Sequence, residues 1–460
     1  MKKIYLILII AVIAIIGVGA YLILSGNQAT DLGKLFPVNK EVVKPELVMG
    51  EGYSVALDGE QAVSQAYEMA QSKLPEGAVP EFAVLYSSFG YNQTKLIQKA
   101  KEIMPNTKIY GYTSIIGTMT NNGFHMGGAK EGQAVSVMLF DSDVLTAGVG
   151  AAALSENSSP REVAKLASQR AVLDAGATGE TPKIVFISTS PFGRGMEEEI
   201  VAGIASVFGP DVPIIGGIAS GDAAYNGGWG MFAGDKFIPE GVVIAPIYTD
   251  LKVGYIYSSG FNQTDIKGVS TKFSQGQERI LQEIDQKPAG VVLNDWLGGL
   301  LKDHLGTSDN IIPLMGTHPI AEKIIETGGF VNWALIYPWW FHTDNSLTIG
   351  VSAPEGTELY LMEGDPELLI KRPALTARLA RSRGKITEAE VAGVVMDHCG
   401  GTMQAIPRER MSEIPPLVNS ATGDKPFIGV FDSGNYGYFA GVGNRYGNMM
   451  VSMVVFGAVK

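Results

Sequence analysis

From Gln61 to Phe456, short apolar runs alternate with amphipathic stretches of about a dozen residues, and no other feature narrows the fold as much. In the first half, Phe82–Tyr86, Lys108–Tyr112, Ala134–Phe140, Leu145–Val149, Lys183–Ile187, Val212–Ile215 and Gly241–Ile247 read as strands. Gln61–Lys73, Lys95–Ile103, Pro160–Leu173 and Met196–Phe208 read as helices; Pro160 opens one and Pro105 stops another. In the second half, Gln277–Leu281, Gly290–Leu301 and Arg372–Arg383 carry helical patterns. Val331–Tyr337, Leu347–Val351, Glu358–Met362, Val391–Met396, Phe427–Val430 and Met449–Phe456 carry those of strands. Strands interleaved with helices predict an α/β (mixed α+β) fold. Strand pairs without an intervening helix make the sheets mixed. The expectation is two consecutive mixed-sheet subdomains with flanking helices, preceded by one transmembrane helix. No repeat of fixed period shows in the sequence.

The transmembrane expectation rests on Ile4–Leu24, an apolar run broken only by glycines and two tyrosines. At about 1.5 Å per residue such a run reaches about 30 Å, the hydrocarbon thickness of a bilayer. It is longer than the apolar region of a cleavable signal, and Leu24-Ser25-Gly26 offers no small-x-small cleavage pair. Lys2 and Lys3 precede it, so the positive-inside rule holds the N-terminus in the cytoplasm and places the rest outside. The segment on the cytoplasmic side is then too short for a signalling output, and any signal must pass through a partner protein. The organisation expected is an anchor over 1–26, a polar tether over 27–49, and folded regions over 50–271 and 272–460.

Charge excludes one class of partner. The net charge is −12, and no Lys/Arg run exceeds two residues, so the clustered positive charge that nucleic acid requires is missing. With a single cysteine, Cys399, there is neither an intrachain disulfide nor a four-cysteine zinc site.

Several segments together bring a family into view. Tyr110-Gly111-Tyr112-Thr113-Ser114 with Gly117, Gly216-Gly217-Ile218-Ala219-Ser220-Gly221-Asp222, Gly241-Val242-Val243 and Gly268-Val269-Ser270-Thr271-Lys272 occur in that order. They are followed by His318-Pro319-Ile320, Pro354-Glu355-Gly356-Thr357 with Glu358-Leu359-Tyr360-Leu361-Met362, and Asp397-His398-Cys399-Gly400. In this order the segments resemble a FIST protein with its N-terminal and C-terminal halves. The resemblance implies a sensory module for a small ligand, with an amino acid suggested. It also implies haem as an alternative ligand, since some members are put forward as haem-based sensors. Its members are usually cytoplasmic, so a membrane-anchored one departs from the pattern. The family's Gly-Glu pair near the C-terminus is Gly434-Asn435 here.

Read by their chemistry, three groups of residues are candidates for binding. Gly217, Ser220 and Asp222 form a glycine loop after an apolar strand, where backbone N–H groups approach a ligand and Asp222 meets an amine; Trp229 follows as a wall. Arg194 opens a helix after a buried strand and is placed to clamp a carboxylate. Ser88, Thr113 and Ser114 end strands, with hydroxyls that either line the same crevice or cap turns. Asp397-His398-Cys399 invites a nucleophile reading, but neighbours on a strand face opposite ways, so His398 is badly placed to activate Cys399. There is no Cys-x-x-Cys-His, Walker or Gly-x-Ser-x-Gly motif. The expectation is an extracytoplasmic small-molecule-binding sensory module, without a resident cofactor. The alternatives are a cell-surface hydrolase or transferase with a non-standard site, and a haem-based gas sensor.

Overall fold

The computed structural model describes residues 46–127, 132–155, 158–191, 196–221, 228–276 and 278–459. The apolar run Ile4–Leu24, Arg194 and Asp222 lie outside them. Among the described residues no helix is long and apolar enough to cross a membrane.

The fold is mixed α/β, with several mixed sheets and eight α-helices among the described residues. Most strands and helices expected from the alternation are present within a few residues of their expected ends. One expectation is overturned. Around Gln277–Leu281 the chain forms the strand Arg279–Ile284, in which Arg279, Leu281 and Ile284 are the buried residues. Arg279 is the reason: its charge makes the stretch look amphipathic, while its side chain is in fact buried in ion pairs.

Three of the four sheets among the described residues follow one plan, a structural repeat without a fixed period in the sequence. In the first unit, strand Val48–Ser54, helix Gly59–Gln71, strand Phe82–Ser88, helix Gln93–Ile103 and strand Lys108–Ser114 lead to the hairpin Thr118–Thr120/Gly123–His125 and the strand Val135–Asp141. The second unit runs from strands Leu145–Ala147 and Gly150–Ala153 through helix Pro160–Ala175, strand Ile184–Thr189, helix Glu197–Phe208 and strand Ile214–Ile218. It ends in hairpin Met231–Ala233/Lys236–Ile238 and strand Gly241–Thr249. The third runs from strand Val253–Ser259 to helix Pro366–Gly384, strand Val391–Cys399, helix Ile414–Thr422 and strand Phe427–Asp432. Hairpin Asn435–Phe439/Gly443–Gly447 and strand Met450–Gly457 close it. Between its first strand and first long helix this unit carries an insertion, residues 262–363, that builds a separate nine-stranded sheet.

In each unit the two strands joined by the second helix are parallel, and the unit's last strand pairs antiparallel with the first of them. Each hairpin leaves its own unit. The first unit's hairpin extends the third sheet, the second unit's extends the first, and the third unit's extends the second. The exchange is cyclic. The inner faces share one apolar core that includes Phe82, Phe140, Phe186, Val243, Val395 and Phe456. The outer faces are covered separately, by helices Gly59–Gln71 and Gln93–Ile103, by Pro160–Ala175 and Glu197–Phe208, and by Pro366–Gly384 and Ile414–Thr422. The repeat escaped the sequence because units of different length, one interrupted by an insertion, keep apolar character rather than residue identity.

Candidate functional site

The carboxyl ends of the three parallel strand pairs meet. There the backbone closes a ring of three hydrogen bonds: Ile115 N–H donates to Phe431 O (2.9 Å), Ser220 N–H to Thr113 O (2.8 Å) and Ser433 N–H to Ile218 O (3.3 Å). Each bond joins one sheet to another, so the ring repeats the cyclic exchange of the hairpins. Carboxyl ends of parallel strands are where open α/β sheets present their sites.

Beneath the ring, matching positions of the units face one another. Tyr86, Ser188 and Asp397 stand on the first strands of the parallel pairs, opposite Tyr112, Gly217 and Val430. Each of those three lies three residues before its unit's ring donor. Tyr110, Asp432 and Asn435 complete the cluster. All seven polar residues (Tyr86, Tyr110, Tyr112, Ser188, Asp397, Asp432 and Asn435) are at most 1 % exposed.

The Asp397 carboxylate is oriented by tyrosines from the first sheet. Its Oδ1 accepts from the Tyr86 hydroxyl (3.1 Å) and from that of Tyr112, and the two rings meet edge-on with centroids 5.1 Å apart. Among the described residues its Oδ2 has no partner. Asp432 Oδ1 accepts from Gly434 N–H (3.2 Å), and its Oδ2 has no well-formed bond among the described residues, with the Asn435 side chain beside the carboxylate. Asn435 Nδ2 donates to the backbone carbonyls of Asp397 (3.1 Å) and Met450 (3.2 Å), leaving its Oδ1 unpaired. The hydroxyls of Tyr110 and Ser188 are neighbours without a well-formed bond between them or to any other group. Gly217 is required for space: any Cβ there would collide with the Asp432 carboxylate.

Burial sets the protonation of the cluster. It pushes Asp397 up to about 6, a rise that the Tyr112 and Tyr86 hydroxyls partly offset. Asp432 is raised well above the usual carboxylate range, by burial first and then by the charge of Asp397. Burial and then the same charge hold all three tyrosines well above their ordinary value, so they remain O–H donors. Among the described residues no lysine or arginine contributes to either acid. No group of three or more His, Cys, Asp or Glu side chains arranged to hold a metal occurs among the described residues. The centre offers two carboxylates with amide and hydroxyl oxygens.

Of the residues proposed from sequence, the described hydroxyl-bearing ones lie at strand ends near this centre and are mostly engaged with backbone. Ser88 Oγ accepts from Ala134 N–H (2.9 Å), Thr113 Oγ1 from Gly230 N–H (3.0 Å) and Ser114 Oγ from Phe431 N–H (3.1 Å). Ser220 Oγ meets Ser433 Oγ at 2.6 Å beside the ring. Trp229 is partly buried against the inner core. The structure thus brings Thr113, Ser114, Gly217 and Ser220 to the junction, with Ser88 in register beside Ser114. Cys399 is a buried thiol pushed up to about 12, first by burial and then by Asp432. The His398 ring turns to Thr402 Oγ1 (3.1 Å) and the Cys399 carbonyl (3.2 Å), so nothing activates the sulfur. Asp397, Asp432 and the tyrosines were not singled out from sequence as binding residues. One available signal was an acidic residue near the end of each of two apolar runs in the third unit.

Comparison with known proteins now adds to the geometry. A family model for the FIST N domain matches residues 81–287, and one for the FIST C domain matches residues 292–437. No curated protein matches the chain. Among solved structures the chain is similar to cyanuric acid hydrolase from A. caulinodans, at 8 % identity over 89 % of this chain and 99 % of that one, with a TM-score of 0.34. It is also similar to phosphoribosylformylglycinamidine synthase II from Thermotoga maritima, at 7 % identity over 91 % and 75 %, with a TM-score of 0.22. At such scores neither the fold nor the activity of those proteins transfers to this chain.

Proposed function

This is a FIST-domain chain, a FIST N domain followed by a FIST C domain, and from that premise we propose that it is a sensory module binding one small polar molecule where its three sheets meet. FIST domains are in general sensory ligand-binding modules. In the proposal the apolar run Ile4–Leu24 anchors the chain, with Lys2 and Lys3 on the cytoplasmic side, and a partner protein carries the signal inward. The ligand is a small zwitterion of the amino-acid kind.

One observation carries the binding reading. Five buried polar atoms (Asp397 Oδ2, Asp432 Oδ2, Asn435 Oδ1, Tyr110 OH and Ser188 Oγ) have no well-formed hydrogen bond to the described residues, in one cluster built from all three units. Each buried polar atom left unpaired costs about 1–3 kcal/mol, which favours a cluster that a ligand completes. The inert Cys399 thiol favours binding over turnover by a cysteine nucleophile.

Native and denaturing mass spectra of the detergent-solubilised full chain test the reading. The expected result is a discrete extra mass that denaturation removes and that Asp397→Ala no longer retains. A bare polypeptide, together with no stabilisation by any member of an amino-acid and amine library, would sink it. The same native spectra decide haem. Protease protection in intact cells decides the side on which the folded part lies.

A further inference from the structure

We infer that the centre is a site for one compact cation, either a hard metal ion or the ammonium group of an organic ligand, held by the free oxygens of Asp397, Asp432 and Asn435. This rests on the reading that the centre is the ligand site, and it adds the chemical class of what binds there.

The first argument is charge. Asp397 and Asp432 are buried together, and among the described residues no lysine or arginine contributes to either. Isolated buried carboxylates are costly and either neutralise or find a counter-charge. The second argument is the acceptor surplus. Tyr86 and Tyr112 have already donated to Asp397 Oδ1, and the Gly434 N–H has donated to Asp432 Oδ1. Among the described residues neither Asp397 Oδ2 nor Asp432 Oδ2 accepts a well-formed hydrogen bond, although the Asn435 side chain lies beside the Asp432 carboxylate.

Asn435 supplies an independent observation. Both partners of its Nδ2 are backbone carbonyls, so turning the amide over would set its oxygen against two acceptors. The oxygen is therefore held facing away from them, buried and without a partner among the described residues. A site designed for an anion would present the N–H₂ there. The donor set is all oxygen, which suits hard cations and ammonium groups rather than soft metals. Cys399, close to Asp432, stays a thiol and offers no soft ligand. A proton on Asp432 donated to Asn435 Oδ1 is the competing way to satisfy the cluster. It pairs two of the three oxygens and leaves Asp397 Oδ2 with none.

The test uses the full-length chain in detergent with choline chloride as background salt, because choline is too bulky for a site built for a compact cation. Calcium chloride, potassium chloride and methylammonium chloride are titrated in turn while the unfolding midpoint is followed. The inference expects one of them to raise the midpoint saturably, and Asp397→Asn and Asp432→Asn to weaken that response by about tenfold or more. A response to calcium or potassium assigns the cation to a metal ion; a response to methylammonium assigns it to an organic ammonium. If either variant fails to fold, wild-type calorimetry at two pH values decides. Binding about tenfold or more tighter at pH 8 than at pH 5, with protons released, supports the site. No response beyond choline, equal responses in folded variants, or affinity independent of pH overturns it. A neutral or anionic molecule found by native mass spectrometry and retained by Asp397→Asn overturns this inference alone and leaves the sensory reading standing.

Discussion

At the scale of single residues, Asp397 makes the stability of the protein depend on pH in an unusual direction. Its folded-state value of about 6 lies above the ordinary 3.8, so between those values the native state holds a proton that the unfolded chain has lost. The stabilisation is complete below the unfolded value and disappears as pH rises through the folded one. A rise of this size corresponds to roughly 3 kcal/mol. Without a bound cation, Asp397 therefore contributes a fall in stability between pH 4 and pH 7, and Asp432 acts in the same sense, while His125 and His398, each lowered by burial to about 4, oppose them over the same range. Asp397→Asn keeps the shape and removes the charge. The stability difference between variant and wild type should therefore shift in the variant's favour as the urea midpoint is followed from pH 4 to pH 8; a difference that does not change with pH would show that Asp397 is not a titrating group. This residue also marks where sequence reading ran out. Asp397 was visible next to His398 and Cys399, and the natural question concerned the sulfur. What defines its role is enclosure by Tyr86 and Tyr112, some 300 residues away (|i−j| of 311 and 285), and no local pattern carries that.

At the scale of elements, the three units share a further device, a glycine on the strand that precedes the first helix, pressed under that helix. Gly52 lies against Ala66 O, Gly150 against Ala167 O, and Gly254 against Ala380 O, each so close that a Cβ would collide with helix backbone. Small residues at these crossings let helix and strand touch directly. Gly150→Val forces helix Pro160–Ala175 outward and should cost roughly 3 kcal/mol. Gly276→Ala, where a Cβ meets nothing within 4 Å, should change stability by less than about 0.5 kcal/mol. Comparing the two in chemical denaturation separates close packing from a general intolerance of glycine replacement. The inserted sheet is tied to the second unit by another contact. Buried Arg279 donates to Glu197 Oε2 (2.6 Å), to Glu198 and to Gly350 O (2.8 Å), and packs over the Tyr446 ring. Arg279→Met leaves Glu197 buried without its partner, an expected loss of about 3–5 kcal/mol; a loss below about 1 kcal/mol would mean that the pair is dispensable. The individual elements were legible because apolar period and proline or glycine punctuation are local. The strand at Arg279–Ile284 was misread because its charged residue is neutralised only by a helix from another unit.

At the scale of the whole molecule, the cyclic exchange of hairpins decides where the chain can be cut. The position between residues 271 and 272 divides the sequence into plausible halves, but strand Asn262–Gln275 runs straight through it. Residues 46–271 alone would also leave hairpin Thr118–Thr120/Gly123–His125 without the sheet it extends. The second sheet would lose the hairpin Asn435–Phe439/Gly443–Gly447, and the shared inner core would lose Val395, Val430 and Phe456. That fragment is expected to show no cooperative urea transition, whereas residues 46–460 should unfold in one. The seam of the insertion predicts the opposite outcome. Asn262 and Glu363 are paired across neighbouring strands, so the ends of the inserted segment already lie side by side. Replacing residues 262–363 by a short glycine-containing turn, with Glu197→Gln and Glu198→Gln to remove the charges Arg279 had neutralised, should leave a cooperative three-sheet body. Its central cluster involves no residue of the insertion, so its response to the compact cation should persist. Circular dichroism melts of both chains, with and without that cation, check the prediction. A cooperative 46–271 fragment would mean that the halves are independent and the exchange incidental. If only the excised chain melts cooperatively, the cyclic exchange is what makes the three units one folding body.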